Sequence, residues 1–446
     1  MKRLLMQQLL DWKTKSDRKP LILKGIRQSG KTYLLEQFGR EQFSRFHLIN
    51  FEREPRAHAI FEGALSPKHL LSELQFYLRT DIDLQHDLLI FDEIQACPKA
   101  LTSLKYFCEE MPELAVCSAG SLLGLYLNDV SFPVGKVDML HLSPMTFVEF
   151  LRGIGDEKAA DIVAKFQFPN EISAFVHQQL WQRLLEYFIT GGMPEVVLTF
   201  SKAKENLFGA VQSVRMKQKT LIDGYYADIA KHSGKVNAMH IDRVWRAVPM
   251  QLAQLYDGNT KRFRFKDIIP GIHRYSRLVH VIDWLNSAEL ILKVPIVDTV
   301  RQPLLGYAKE NLFKLFLSDI GLLGAMIDLD PKTILDNDYG SYKGYFAENF
   351  VAQQIHTASN GKSIFNWQEA RFEIEFLVEH DNDIIPIEVK SGSVTRLKSL
   401  QQFQRKYQPK KSVVFSADLP RIDKKTHRHY LPLYLAERIF DIVDGV

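Results

Sequence analysis

At 446 residues, 46% hydrophobic and 25% charged, the chain is too long for one ordinary core and too apolar for a disordered or fibrous protein. Its net charge of +4 is too small to argue for nucleic acid by itself, so any such partner has to be read from local basic clusters. These are Lys261, Arg262, Arg264 and Lys266, and then Arg396, Lys398, Arg405, Lys406, Lys410 and Lys411. Charges and glutamines break the N-terminal apolar patch, and no stretch approaches the roughly 18 apolar residues of a membrane span. That argues against a membrane partner, while Cys97, Cys108 and Cys117 show neither metal spacing nor a disulfide framework, which points to a reducing cytoplasm.

In chain order, short apolar runs at Leu21 to Lys24, Phe46 to Phe51, Leu88 to Phe91 and Ala115 to Ser118 alternate with helical stretches up to about residue 150. Such alternation predicts a parallel sheet with crossover helices. From 151 to 225 the period turns helical, through Leu180, Leu184, Leu185 and Phe188, and predicts a helical lid. Between 226 and 304 a helix carrying Ile241, Val244, Trp245, Val248 and Leu252 is expected to kink or break at Pro249. A second helix (Leu278, Ile282, Leu285) and the strand LILKVPIV follow, an order that resembles a winged helix-turn-helix. Arg274, Tyr275, Arg277 and His280 would then begin or line its recognition helix. From 305 to 446, FKLFLSD reads as a strand, YFAENFVAQQI as a helix, and EIEFLVEH and IIPIEVKSG as paired strands.

Directly after the strand LILK, Gly25-Ile26-Arg27-Gln28-Ser29-Gly30-Lys31-Thr32 fits G-x-x-x-x-G-K-[ST] and precedes the helix TYLLEQF. The glycines let the backbone wrap phosphates, and amides at a helix N-terminus face the negative charge. Lys31 would reach the β and γ phosphates and Thr32 would ligate Mg2+, so Gly25 to Tyr33 are the expected ATP-binding residues. A second signal is Leu88-Leu89-Ile90-Phe91-Asp92-Glu93, an apolar strand ending in two acids. Carboxylates at that end of a parallel strand lie where ligands bind. Asp92 would hold the hydrated magnesium, while Glu93, the expected catalytic base beside Lys31, would activate water against the γ phosphate.

A phosphate loop, an acidic pair and a polar residue on the next strand together resemble AAA-type ATPases. By that resemblance Ser118 or Ser121 would sense the γ phosphate, and Asn50 would restrain Glu93. Arg27, Arg152 and Arg183 all stand as arginine-finger candidates. Where the family often has Gly-Arg, this chain has Gly135-Lys136, and lysine lacks the bidentate fork.

Further on, side-chain alternation puts Glu373 and Glu375 on one strand face and Glu388 and Lys390 on one face of the return strand. A turn centred on Asp381-Asn382 would set Glu375 opposite Glu388, a like-charge pair that a divalent cation would relieve. With Glu348 on the preceding helix, this set resembles the PD-(D/E)XK restriction-endonuclease-like fold. The resemblance implies carboxylates Glu348, Glu375 and Glu388 on a second divalent metal and Lys390 beside the attacking water. Glu375 stands where active relatives carry aspartate.

Taken in order, GIRQSGKTYLL, LLIFDEIQ, SAGSLLG, LSPMTFVEFL, YFITGGMPEVV, LFLSDIGLL, GYFAENFV and IPIEVKSG resemble one group of prokaryotic proteins. These are AAA-type ATPases whose C-terminal half is a domain of unknown function with a nuclease-like core. The resulting expectation is a multidomain α/β protein: a P-loop parallel-sheet ATPase (1–150), a lid (151–225), a winged helix (226–304) and a nuclease-like α/β domain (305–446). The expected function is an ATPase acting on or with DNA. The alternative is an ATP-dependent switch whose degenerate nuclease-like domain binds a protein partner; a homo-oligomer fits either.

Overall fold

The computed structural model describes every residue except 122–131, 255–261, 267, 273, 339, 341 and 446. Lys261 and the LLG end of SAGSLLG therefore lie outside the described residues. The rest divide into two compact units, 2–143 with 287–289, and 144–286 with 290–446 and Met1. No described helix is long and apolar enough to cross a membrane.

Five parallel strands form the sheet of the first unit: β1 (Leu21–Lys24), β2 (Arg45–Asn50), β3 (Asp87–Asp92), β4 (Ala115–Gly120) and β5 (Asp138–His141), in the order β2-β3-β4-β1-β5. Its apolar runs are continuous because both faces are covered. Ile22, Ile49, Leu89, Phe91 and Val116 pack against Leu70, Leu74, Leu104 and Phe107 of helices Pro67–Leu78 and Pro98–Glu110. On the other face Leu21, Leu23, Leu88 and Ile90 meet Leu34, Leu35 and Phe38 of helix Lys31–Gln42. The edge strand β5 has the sequence DMLH, too polar to announce itself as an apolar run. β1 has β4 on one side and β5 on the other, so the loop leaving its C-terminal end opens where successive connections diverge, which is where ligands bind in such sheets.

The second unit is built on eight strands: β6 (Ile291–Val297), β7 (Phe313–Leu317), β8 (Phe365–Glu369), β9 (Phe372–His380), β10 (Asp383–Val389), β11 (Ser412–Ser416), β12 (Arg421–Asp423) and β13 (Arg428–Pro432). Their order is β12-β13-β11-β10-β9-β8-β6-β7. The strand expected as a wing is thus β6, an interior member of this sheet, antiparallel to β7 and parallel to β8. A boundary at 304/305 would cut through the sheet. Pro249 sits within one helix, Lys235–Gln254, rather than ending it, and its carbonyl accepts a hydrogen bond from the Tyr345 hydroxyl.

Helices of the 151–225 region share their core with this sheet's helices. Tyr187 stacks edge-on against Phe147, Phe150 and Phe350, and its hydroxyl accepts from the Gln353 and Gln354 side-chain amides at 2.9 and 3.3 Å. Asp319 accepts from the Gly192 backbone N–H at 2.6 Å while capping helix Ile320–Met326 through Leu322 N at 3.0 Å. Gly191 must lack a Cβ, since one would stand 2.2 Å from Asp319 Oδ1 and its φ is +72°. The segments FITGGMP, LFLSDIG and YFAENFV are joined here as one packing unit.

Candidate functional site

The first candidate site grows from the end of β1. Gly25 is required because a Cβ there would lie 2.3 Å from the Leu142 carbonyl oxygen, and Gly30 adopts φ 90° as the N-cap of helix Lys31–Gln42. Gln28 holds a positive φ of 64° between them. Arg3, which no sequence motif marked, clamps this loop from behind. Its guanidinium donates to Ser29 O at 2.8 Å and to Ser143 O at 2.6 Å, tying the phosphate loop to the segment after β5.

Lys31 is buried, and its ammonium donates to Gly25 O at 2.8 Å and Ile26 O at 3.0 Å in the mouth of the loop. Burial pulls its pKa below the usual lysine range, against the opposing pull of Glu93, Glu289 and Asp92. Thr32 Oγ1 donates to the Asp92 carboxylate at 3.0 and 3.1 Å. Burial raises the Asp92 pKa, and hydrogen bonds from Thr32 and Asn50 oppose the rise. A hydroxyl and a carboxylate converging beside a buried lysine form a donor set that fits Mg2+.

Asn50 differs from the expectation. Its side-chain amide donates to Asp92 Oδ2 at 2.7 Å rather than engaging Glu93, because paired β2 and β3 bring residues 50 and 92 level. Glu93 follows in a left-handed turn (φ 50°), with Gln95 Nε2 donating to its Oε2 at 2.5 Å. Burial raises the Glu93 pKa, and the adjacent Asp92 adds to the rise. Of the two serines, Ser118 donates to Leu21 O at 3.1 Å inside the sheet, whereas Ser121 lies buried just beyond the end of β4. Tyr33 is half exposed.

Around this loop, Arg27 faces Glu52 at 3.6 Å and Lys136 pairs with Glu109 at 2.9 Å. In the second unit Arg183 is engaged by Asp156 and Glu186, both at 2.9 Å, and Arg152 stands 3.9 Å from Glu157. Sequence reasoning also missed His141 and Glu289, which bond at 2.7 Å; His141 is level with Lys24, the residue before Gly25.

The second site is on the eight-stranded sheet. Asp381 and Asn382 both take positive φ (45° and 59°), and β9 pairs with β10 from Asp383↔His380 to Ile387↔Phe376. One further step in that register sets Glu388 against Glu375. Val389 N donates to Glu375 Oε2 at 3.1 Å, and Lys390 Nζ pairs with Glu388 Oε1 at 2.6 Å. Glu388 is 3% exposed, and its Oε2 has no hydrogen-bond partner. Burial raises the pKa of both glutamates, and their mutual repulsion lifts Glu375 further.

Glu348, on helix Tyr342–Ala358, is not directed to an open position. Lys314 of β7 donates to Glu348 Oε2 at 2.8 Å and to Glu373 Oε1 at 3.1 Å. Asn366, at an irregularity of β8, adds a bond to Glu373 Oε1 at 2.9 Å. The orphaned Glu388 oxygen fits a cation, while the half around Glu348 already holds one. Arg274, Arg277 and His280 are exposed on Tyr275–Arg277 and the start of helix Val279–Ser287, and Tyr275 donates to Glu310 at 3.2 Å.

A parallel sheet with β1 in its interior, a phosphate loop closed onto a buried lysine, and a threonine–aspartate pair across the strands give the first unit the form of an AAA-type P-loop domain. Residues 17–151 match the AAA domain family, residues 182–333 one domain of unknown function and residues 343–436 another. No curated protein matches the chain. Among solved structures, the chain is similar to the Walker-type ATPase PABY2304 of Pyrococcus abyssi, at 18% identity over 73% of this chain and 95% of that one, with a TM-score of 0.44. A RuvB variant of Thermotoga maritima is 16% identical over 65% and 89% of the two chains, TM-score 0.34. The Aeropyrum pernix ORC1 protein, solved in complex with DNA, is 15% identical over 73% and 90%, TM-score 0.28.

Proposed function

We propose that the protein is a magnesium-dependent ATPase that acts on or with DNA. The observation that carries the catalytic half is the meeting of Thr32 Oγ1 and the Asp92 carboxylate at 3.0 Å, beside a buried Lys31. With ATP along residues 25–33, Lys31 exchanges its two loop carbonyls for phosphate oxygens. Thr32 and Asp92 would hold Mg2+, which would supply charge neutralisation at the phosphates. Glu93 takes the proton of the attacking water as the new O–P bond forms and the bond to the β phosphate breaks, releasing ADP and phosphate. A buried carboxylate with a raised pKa is suited to that transfer near neutral pH. Asn50 orients Asp92, and Ser121 is the better placed of the two serines to sense the γ phosphate.

As functional regions rather than separate folding units, 151–225 acts as lid, 226–304 as a winged-helix DNA reader and 305–446 as the nuclease-like module. The exposed Arg274, Arg277 and His280 supply phosphate contacts. In that module Glu375 and Glu388 hold a divalent ion and Lys390 steadies water. One observation favours a second reading, an ATP-driven switch that grips a partner without cutting: Glu348 is already neutralised by Lys314.

The test is ATPase turnover of wild type and Lys31→Ala without DNA and with duplex, branched and single-stranded DNA, beside a plasmid-nicking assay of wild type and Glu388→Ala. Loss of turnover in Lys31→Ala and stimulation by one DNA form are expected. Equal rates in both proteins would remove the site, and no response to any DNA at low salt would leave the switch.

A further inference from the structure

The C-terminal cluster gathers four carboxylates, Glu348, Glu373, Glu375 and Glu388, with two ammonium groups, Lys314 and Lys390. The six groups are not evenly mixed. Lys314, 4% exposed, binds Glu348 and Glu373 at 2.8 and 3.1 Å. Glu373 Oε1 also accepts from Asn366 at 2.9 Å and lies 3.4 Å from Gln368 Nε2. That half is saturated. In the other half Glu388 Oε2 is buried without a partner, and Lys390 is shared with bulk water through its 32% exposure.

Burying so many carboxylates needs compensating positive charge, which a divalent ion or a fixed ammonium can supply. Lys314 reaches its partners from β7, with β6 and β8 standing between it and β9, which carries Glu373, in the strand order. It is rooted in a packed strand flanked by buried Phe313 and Leu315, so it is not a mobile surface group. Its ammonium sits between two carboxylates, at 2.8 Å from Glu348 and 3.1 Å from Glu373.

We propose that Lys314 is a tethered cation that takes the place of a divalent ion between Glu348 and Glu373, confining the cluster to a single ion at Glu375 and Glu388. The single-ion half rests on the proposed nuclease-like reading. The substitution by Lys314 does not.

The test counts bound Mn2+ by electron paramagnetic resonance in nucleotide-free full-length protein carrying Asp92→Asn, so that the phosphate loop contributes no ion. The parent should bind one Mn2+, lost in Glu388→Gln, and Lys314→Met should bind one more than its parent. An unchanged count in a folded Lys314→Met overturns the tethered cation. A parent that binds none, with one ion gained in Lys314→Met, keeps the tethered cation and ends the ion site of the wild-type chain. Should Lys314→Met fold poorly, its melting temperature is compared with and without Mn2+, beside Lys314→Met with Glu348→Gln. Stabilisation by Mn2+ in the single variant alone supports the proposal. Equal melting with and without Mn2+, while the double variant folds, refutes it.

Discussion

Arg3 is the place where a residue outside every motif should control nucleotide binding. Its guanidinium donates at 2.8 Å to Ser29 O in the phosphate loop and at 2.6 Å to Ser143 O beyond β5, and it is buried. Hydrogen bonds from a charged donor contribute about 1.5–3 kcal/mol each, so Arg3→Ala removes about 3 kcal/mol if water reaches both freed carbonyls, and more if it does not. In a unit of this size each kcal/mol moves the melting temperature by roughly 2–4 °C, which predicts a fall of about 10 °C. If half of the cost is spent on the geometry of the loop, ATP affinity falls about tenfold. Lysine can reach one carbonyl but lacks the fork, so Arg3→Lys should fall between. The assays are thermal unfolding and ATP titration of the three proteins. Unchanged melting and affinity in Arg3→Ala, or Arg3→Lys indistinguishable from wild type, would refute the clamp.

Other outcomes follow from equally specific contacts. Gly25→Ala places a methyl 2.3 Å from Leu142 O, so ATP binding measured by titration should be lost while the far-UV spectrum stays native. Asp319→Ala leaves the Gly192 and Leu322 N–H groups without their acceptor, and should cost about 2–4 kcal/mol in denaturant unfolding. Glu437 accepts from Val148 N at 2.9 Å, and burial pushes its pKa up to about 7 from an ordinary 4.5. Between those values the folded chain binds more protons than the unfolded one. Its contribution to stability therefore falls as pH rises from 4.5 to 7, by at most about 1.4 kcal/mol per pH unit, and is level outside that window. Unfolding of Glu437→Gln against wild type across pH 4 to about 8 should show the wild type's relative stability dropping through that range; a constant difference would contradict the burial argument.

The parts legible in the sequence were those fixed by short-range rules. Four strands of the first sheet read as apolar runs because both of their faces are covered. The β9–β10 register followed from two residues tolerant of positive φ at 381 and 382. What stayed hidden depends on distant pairing. Lys314 reads as an ordinary strand residue, and only the fold brings it to Glu348, 34 positions later. Arg3 is 140 residues from Ser143, and no periodicity links them. β6 and β7 were both legible as strands, but β8 was not and no local rule pairs β6 with either, so its place within the larger sheet could not be read. Asn50 was expected to restrain Glu93, whereas the register of β2 and β3 sets it level with Asp92, which it bonds.

The most direct measurement is the fate of radiolabelled ATP bound to Glu93→Gln, followed in a single turnover with magnesium at saturating protein. With the loop, Lys31, Thr32 and Asp92 intact, the variant should bind ATP as tightly as wild type and retain it uncleaved, with hydrolysis slowed about a hundredfold or more. Cleavage at the wild-type rate would show that Glu93 does not take the proton from water, and the assignment of the site would fall.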